Sequence, residues 1–305
     1  MQTLGANVAE AEVSRSFLFV PADSERKLAK AESCGADAII IDLEDSVAVS
    51  ALPKARGLAA EFLSAKHNAD TWVRINSLDS GSAQEDLEAV VPAGPAGIVL
   101  PKPRDAGDSA ELAIRLDALE REHKLAPGQT KILPITTERP AALFGMASYA
   151  DSTARLAGLT WGAEDLSAAV GASTNRDEDG NWLAPYQLAR SLCLFAAAAA
   201  GVPAIDTVFT DFRDGEGLQN YAAAARRDGF EGMLAIHPDQ VPIINAAFVP
   251  TDGETARARR IVELFAANPD AGTLGMDGEM IDRPHWRQAQ RILEAAGRLK
   301  QKSKD

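Results

Sequence analysis

The sequence predicts an α/β protein, a (β/α)8 TIM barrel with a C-terminal helical arm. Three observations carry that expectation. Eight short, apolar, β-branched runs recur through the chain, as strands buried on both faces do. Helical patterns lie between them, at close to the roughly 30 residues expected per βαβ step. No Gly-x-Gly-x-x-Gly follows the first run, which weakens the dinucleotide-binding alternative of an open doubly wound sheet.

In order, the runs are Ser16–Val20, Ala38–Ile41, Thr71–Ile75, Gly97–Leu100, Lys131–Ile135, Leu159–Trp161, Ile205–Phe209 and Met233–Ile236. Helical patterns cover Glu25–Ser33, Ala110–Glu122 (Leu112, Leu116 and Leu119 on one face), Tyr186–Ala200 and Gly217–Asp228. Pro238–Lys302 is too long to be the last barrel helix alone. It reads as a helix (Glu254–Ala267), a Gly-rich stretch (Gly272–Gly278), the segment Met280–Pro284 and a final helix (His285–Leu299). The expected organisation is a flexible tail over 1–14, a barrel over 15–245, and an arm over 246–305 that packs on the barrel or on a neighbouring protomer.

Composition narrows the function classes. Of 305 residues, 31 are Lys or Arg and 44 are Asp or Glu, a net charge of −13 that repels nucleic acid and anionic membranes. No run reaches the roughly 18 apolar residues of a membrane span. Two cysteines cannot build a disulfide scaffold, and the first residues show no basic segment ahead of an apolar core, so the expected location is cytoplasmic.

A barrel places its chemistry at the C-terminal ends of its strands. Those positions hold Asp42-Leu43-Glu44-Asp45, Arg74, Lys102, Glu138 and Glu164-Asp165. Carboxylates gathered at one mouth repel one another, and a divalent cation would resolve that repulsion.

The chain resembles the citrate lyase β-subunit-like branch of the HpcH/HpaI aldolase and citrate lyase family, which includes malyl-CoA and citramalyl-CoA lyases. The segments that carry the resemblance are RSFLFVPADSERKLAKA, GADAIIIDLEDSV, VRINS, VLPKP, ITTE, LTWGAEDLSAAVGA, AIHPDQVPIIN and GEMIDRPHWRQAQRIL. They run from Arg15 to Leu293 in the family's order. The resemblance implies a Mg2+-dependent barrel (Mn2+ is the alternative ion) that cleaves or forms a carbon–carbon bond beside a CoA thioester. It also implies a homotrimer or a dimer of trimers.

Glu138 and Asp165 follow adjacent strands, and two carboxylates plus water are the usual holding of Mg2+. Each has a plainer reading: Glu138 as an acidic helix start before Pro140, Asp165 as a helix cap before Leu166. Arg74 matches the family's substrate arginine; its plainer reading is an ion pair with Asp42 or Glu44. Glu44 and Asp45 are expected to orient metal-bound water or Arg74. Arg26 and Lys30, four apart on one helix face, are candidates for CoA phosphates, against a solvated face that fits Lys27 better. Lys102 joins them as a cofactor-binding candidate, with a carboxylate as its expected mate. Asp282 matches the aspartate that lyase-like members use as acid/base, delivered by the arm of a neighbouring protomer; its plainer reading is a helix N-cap.

Ala22 stands where the family often has glycine, and Trp161 and the insert Asn175–Trp182 bear on the acyl pocket. The expected activity is a Mg2+-dependent 3-hydroxyacyl-CoA lyase of malyl-CoA or citramalyl-CoA type. Three alternatives stay open: a citryl lyase β subunit taking a carrier-bound thioester, a malyl-CoA-type thioester hydrolase, and a non-catalytic metal- and CoA-binding module.

Overall fold

The computed structural model describes residues 14–302, with no account of the side chains beyond 297. Of the expected N-terminal tail, residues 1–13 lie outside the described residues, and Ser14 is buried. The chain divides into two compact units, one ending at Asn245 and the other running from Ala246 onward.

The first unit alternates strand and helix: β1 (Ser16–Pro21), α1 (Glu25–Ala31), β2 (Ala38–Asp42), α2 (Leu52–Ser64), β3 (Asp70–Arg74), α3 (Ala83–Val90), β4 (Gly97–Leu100), α4 (Ala106–Glu122) and β5 (Lys131–Pro134). A 3-10 helix over Pro140–Asp151 replaces a regular helix before β6 (Leu159–Thr160). Then come α5 (Glu164–Ala169), α6 (Ala184–Ala200), β7 (Ala204–Asp206), α7 (Gly215–Asp228), β8 (Gly232–Ala235) and α8 (Val241–Ala247). The eight strands are parallel, in the order β5-β4-β3-β2-β1-β8-β7-β6. Bridges Ile132–Leu156 and Ile135–Thr160 join the two ends, so the sheet closes into the barrel that the sequence predicts.

Side chains alternate across each strand. Phe17, Ala38, Ile40, Trp72, Val99, Leu133, Ile205 and Leu234 form one buried cluster, and the alternate positions (Leu18, Ile39, Ile41, Val73, Ile98) are buried as well. Burial on both faces is why these strands read as continuous apolar runs. Gly97 is required by its neighbour: a Cβ there would lie 2.2 Å from the Trp72 ring. Among the described residues no helix is long and apolar enough to cross a membrane.

A buried ion pair ties α4 to the segment before β6. Glu120, 1% exposed, accepts from Thr130 N (2.9 Å), Gly128 N (2.8 Å) and Arg155 Nη1 (2.8 Å). Burial alone would raise the Glu120 pKa, but Arg155 and the two backbone N–H groups hold it down to about 2. A depressed carboxylate stabilises the fold above its unfolded pKa and loses that contribution as pH falls through the folded value. Arg155→Met leaves Glu120 buried and unpaired, and should cost about 3 kcal/mol in urea unfolding at pH 7. The gap from wild type should shrink as pH falls from 4.5 toward 2; a pH-independent gap would refute this account of the pair.

The second unit holds α9 (Asp252–Ala267), a hairpin of β9 (Thr273–Met276) and β10 (Glu279–Asp282), and α10 (Arg283–Lys302). Thr251 and Glu254 form a capping box at the start of α9. Ala258, Ile261, Phe265, Met276, Ile281 and Ala289 make this unit's own core. The stretch read from sequence as Gly-rich is thus a hairpin, turning through Asp277 and Gly278 with φ of 53° and 81°.

Candidate active site at the barrel mouth

Strand register builds the site. Asp42 and Arg74 end β2 and β3 as direct register partners, on the same parity as the barrel interior. Arg74 donates to both Asp42 oxygens, Nε to Oδ1 at 2.6 Å and Nη2 to Oδ2 at 2.7 Å. Asp42 also accepts from the backbone of Glu44 and Ser46. Burial opposes the Asp42 charge, yet Arg74 outweighs it and holds the pKa below the ordinary carboxylate range. The plainer reading of Arg74 as an ion pair therefore describes two of its nitrogens. The third, Nη1, lies 3.2 Å from Glu44 Oε2 and 3.5 Å from Asp45 Oδ2, and the guanidinium stacks on Phe19.

Lys102 follows β4 with a φ of 50°, in the left-handed region. Its Nζ reaches Glu44 Oε1 at 2.7 Å, Asp45 Oδ1 at 3.1 Å and Asp165 Oδ1 at 3.4 Å. Its backbone N–H donates to Glu138 Oε2 at 2.5 Å. Burial would lower the Lys102 pKa, but its carboxylate neighbours raise it, so the ammonium stays charged.

Glu138 follows β5 and is 5% exposed. Burial, then the charges of Glu44 and Asp165, push its pKa up to about 8. Gly162, after β6, makes room for it: a Cβ there would sit 3.0 Å from Glu138 Cγ. Thr137 and Gly162 bond reciprocally through the Thr137 hydroxyl, stitching the ends of β5 and β6 together. Glu138 does not begin a helix, because Arg139 is the N-cap of the following 3-10 helix. Asp165 is not a cap either: Ala163 caps α5 and Asp165 sits in its first turn, half-exposed.

The donor chemistry suits a hard divalent cation. Glu138 and Asp165 offer only oxygen, and Glu44 Oε2 is buried without a hydrogen bond. Among the described residues no three His, Cys, Asp or Glu side chains form a ready-made metal cage. Two carboxylates with water in the remaining positions satisfy Mg2+, whereas zinc would want nitrogen or sulfur ligands.

Residues 15–238 match the model of the HpcH/HpaI aldolase/citrate lyase family. The chain belongs to that family. It is 35% identical over 281 residues to a citrate lyase subunit beta-like protein of Mycobacterium tuberculosis, covering 92% of this chain and 95% of that protein. It is 33% identical over 293 residues to a (3S)-malyl-CoA thioesterase of Cereibacter sphaeroides, covering 94% and 96%. Among solved structures, M. tuberculosis CitE in complex with magnesium, acetoacetate and coenzyme A superimposes with a TM-score of 0.78 at 34% identity, covering 93% and 98%.

In this HpcH/HpaI-family barrel, Glu44, Asp45, Arg74, Lys102, Glu138 and Asp165 meet at one mouth. Arg26 and Lys30 do not join them; both project from α1 into solvent. Asp282 belongs to the second unit, where it ends β10. Its Oδ1 accepts from His285 N (3.4 Å) and meets His285 Nδ1 (2.5 Å), so the N-cap reading holds for its local contacts. Sequence reasoning passed over His285 and also Asp206, which is fully buried at the end of β7. Asp206 accepts from Trp161 Nε1 (2.7 Å), Arg190 and Tyr221, and so fixes the Trp161–Gly162 edge against which Glu138 rests. An Asp ending a buried apolar strand was the available signal.

Proposed function

We propose that this protein is a Mg2+-dependent carbon–carbon lyase that splits a 3-hydroxyacyl-CoA, such as malyl-CoA or citramalyl-CoA, into a 2-oxo acid and an acyl-CoA. The observation that carries the reading is the pair Glu138 and Asp165 beside Arg74 at the barrel mouth. Its support from relatives is the magnesium and coenzyme A complex of M. tuberculosis CitE.

Glu138 and Asp165 are the residues that would hold Mg2+ or Mn2+, and Glu44 and Asp45 would orient its water. When bound, the ion supplies Lewis-acid polarisation of the substrate's carboxylate and hydroxyl oxygens. The bond that breaks joins the hydroxyl-bearing carbon to the carbon beside the thioester. Asp282, in its base form, would take the hydroxyl proton, the electron pair of the breaking bond would pass to the thioester as an enolate, and Asp282 would return that proton to the carbon beside the thioester. Arg74 Nη1 faces the mouth and would stabilise a substrate carboxylate or the developing enolate oxygen. Arg26, in the first turn of α1, and Lys30, in its last, would meet the CoA phosphates. Lys102, committed to three carboxylates, belongs with the acid cluster rather than with CoA. We further propose a cytoplasmic enzyme, a homotrimer or a dimer of trimers, in which residues 246–305 serve as a C-terminal arm.

The thioesterase relative favours a second reading, hydrolysis of the same substrate to free malate and CoA. A carrier-bound citryl thioester is a third. Supplying malyl-CoA, citramalyl-CoA and citryl-CoA with Mg2+, while detecting 2-oxo acid, acyl-CoA and free CoA separately, distinguishes them. An EDTA-sensitive 2-oxo acid is the expected product; free CoA without 2-oxo acid would replace the lyase by a hydrolase.

A further inference from the structure

We propose that Lys102 is the resident counter-ion of the carboxylate cluster and the positioning residue that sets how tightly the cluster takes a divalent cation. This rests on the proposed metal role of Glu138 and Asp165. Three carboxylates from two different segments converge on one ammonium: Glu44 and Asp45 after β2, and Asp165 in α5. Without a cation among them, carboxylates gathered this close to one point would repel one another. The backbone of Lys102 is bound into the same cluster through Glu138. Its left-handed conformation, costly for a side chain with a Cβ, persists because both ends of the residue are anchored.

The three contacts differ in kind. Glu44 and Asp45 sit nearer to Nζ than Asp165, whose contact is the longest at 3.4 Å and whose side chain is partly exposed. Asp165 is also the member of this trio assigned to the metal. Metal binding therefore exchanges one cation for another at Asp165: the carboxylate turns from Lys102 to the divalent ion, and Lys102 stays with Glu44 and Asp45. The ammonium repels the incoming dication and occupies one of its ligands, so it weakens metal affinity while keeping the metal-free site assembled.

The test uses the full-length protein stripped with EDTA, titrated calorimetrically with Mg2+ alone, with thermal unfolding followed with and without Mg2+. Lys102→Met should bind Mg2+ about tenfold more tightly than wild type. It should also melt at a lower temperature without metal, with the gap narrowing at saturating Mg2+. A purely structural role predicts the opposite sign, because a loosened cluster binds metal less well. Unchanged or weaker Mg2+ binding by folded Lys102→Met, with wild-type binding intact, overturns the proposal. Should that variant fail to fold, Lys102→Gln must show the same rise in affinity, and its absence overturns the proposal equally. Wild-type protein that binds no Mg2+ would remove the metal reading of Glu138 and Asp165, and this proposal with it.

Discussion

Glu138→Gln is expected to lower kcat/KM for thioester cleavage by about 10³-fold or more, the scale of removing a main electrostatic support of a transition state. The substitution keeps the shape of the side chain and removes the charge that would hold the metal. It should not unfold the protein, for a reason visible in the site's electrostatics. Burial and the neighbouring Glu44 and Asp165 charges push the Glu138 pKa up to about 8, from an ordinary value of 4.5. A carboxyl whose folded pKa is raised takes up a proton on folding, so its charged form costs stability as pH rises through that window. In EDTA the wild type should lose stability between pH 4.5 and about 8, and Glu138→Gln should show a flatter profile. Activity assays paired with thermal unfolding at pH 5 and pH 8 check both halves. A loss of less than tenfold, or a steeper pH profile in the variant, would count against Glu138 as a metal ligand.

Asp282→Asn is expected to lower kcat by 10²- to 10⁴-fold, the usual range for a positioned general acid or base. Bonding to His285 outweighs desolvation, which opposes it, and holds the Asp282 carboxyl below its ordinary pKa, which favours the base form. If Asp282 serves a neighbouring protomer's barrel, two inactive chains can repair each other. Mixing Asp282→Asn with Glu138→Gln and allowing subunits to exchange should restore part of the activity, because some assembled sites then carry both native residues. Confirmed exchange with no recovery would place Asp282 in its own chain's site or outside the chemistry.

Much of the barrel was legible because strands buried on both faces must be continuously apolar, and all eight runs became strands. Their ends moved by up to three residues: Ile75, Ile135 and Trp161 lie just past the hydrogen-bonded ladder, and the expected run to Phe209 stops at Asp206. The hairpin over 273–282 was missed although Asp277-Gly278 is a strong turn signal, because the flanking residues lack clean alternation. The site was legible as residue types at strand ends but not as a network. The Arg74–Asp42 pair follows from register, which no single strand reveals. Glu138 looked locally like an acidic helix start; only Gly162, at the end of the neighbouring strand, shows why it stays buried. Lys102 needed a carboxylate mate on burial grounds, and three converge on it, Glu44 and Asp45 from one loop and Asp165 from a helix far along the chain.

The most direct measurement runs the reaction in the bond-forming direction. Acetyl-CoA and glyoxylate are incubated with the protein and Mg2+, and the thioesters are resolved by mass spectrometry. A lyase should produce a new CoA thioester whose mass is the sum of the two reactants, absent with EDTA and absent with Glu138→Gln. Propionyl-CoA and pyruvate serve as further reactants should the acyl group differ. Free CoA alone, with no condensed thioester from any pair while Mg2+ is bound, would contradict carbon–carbon bond chemistry at this site.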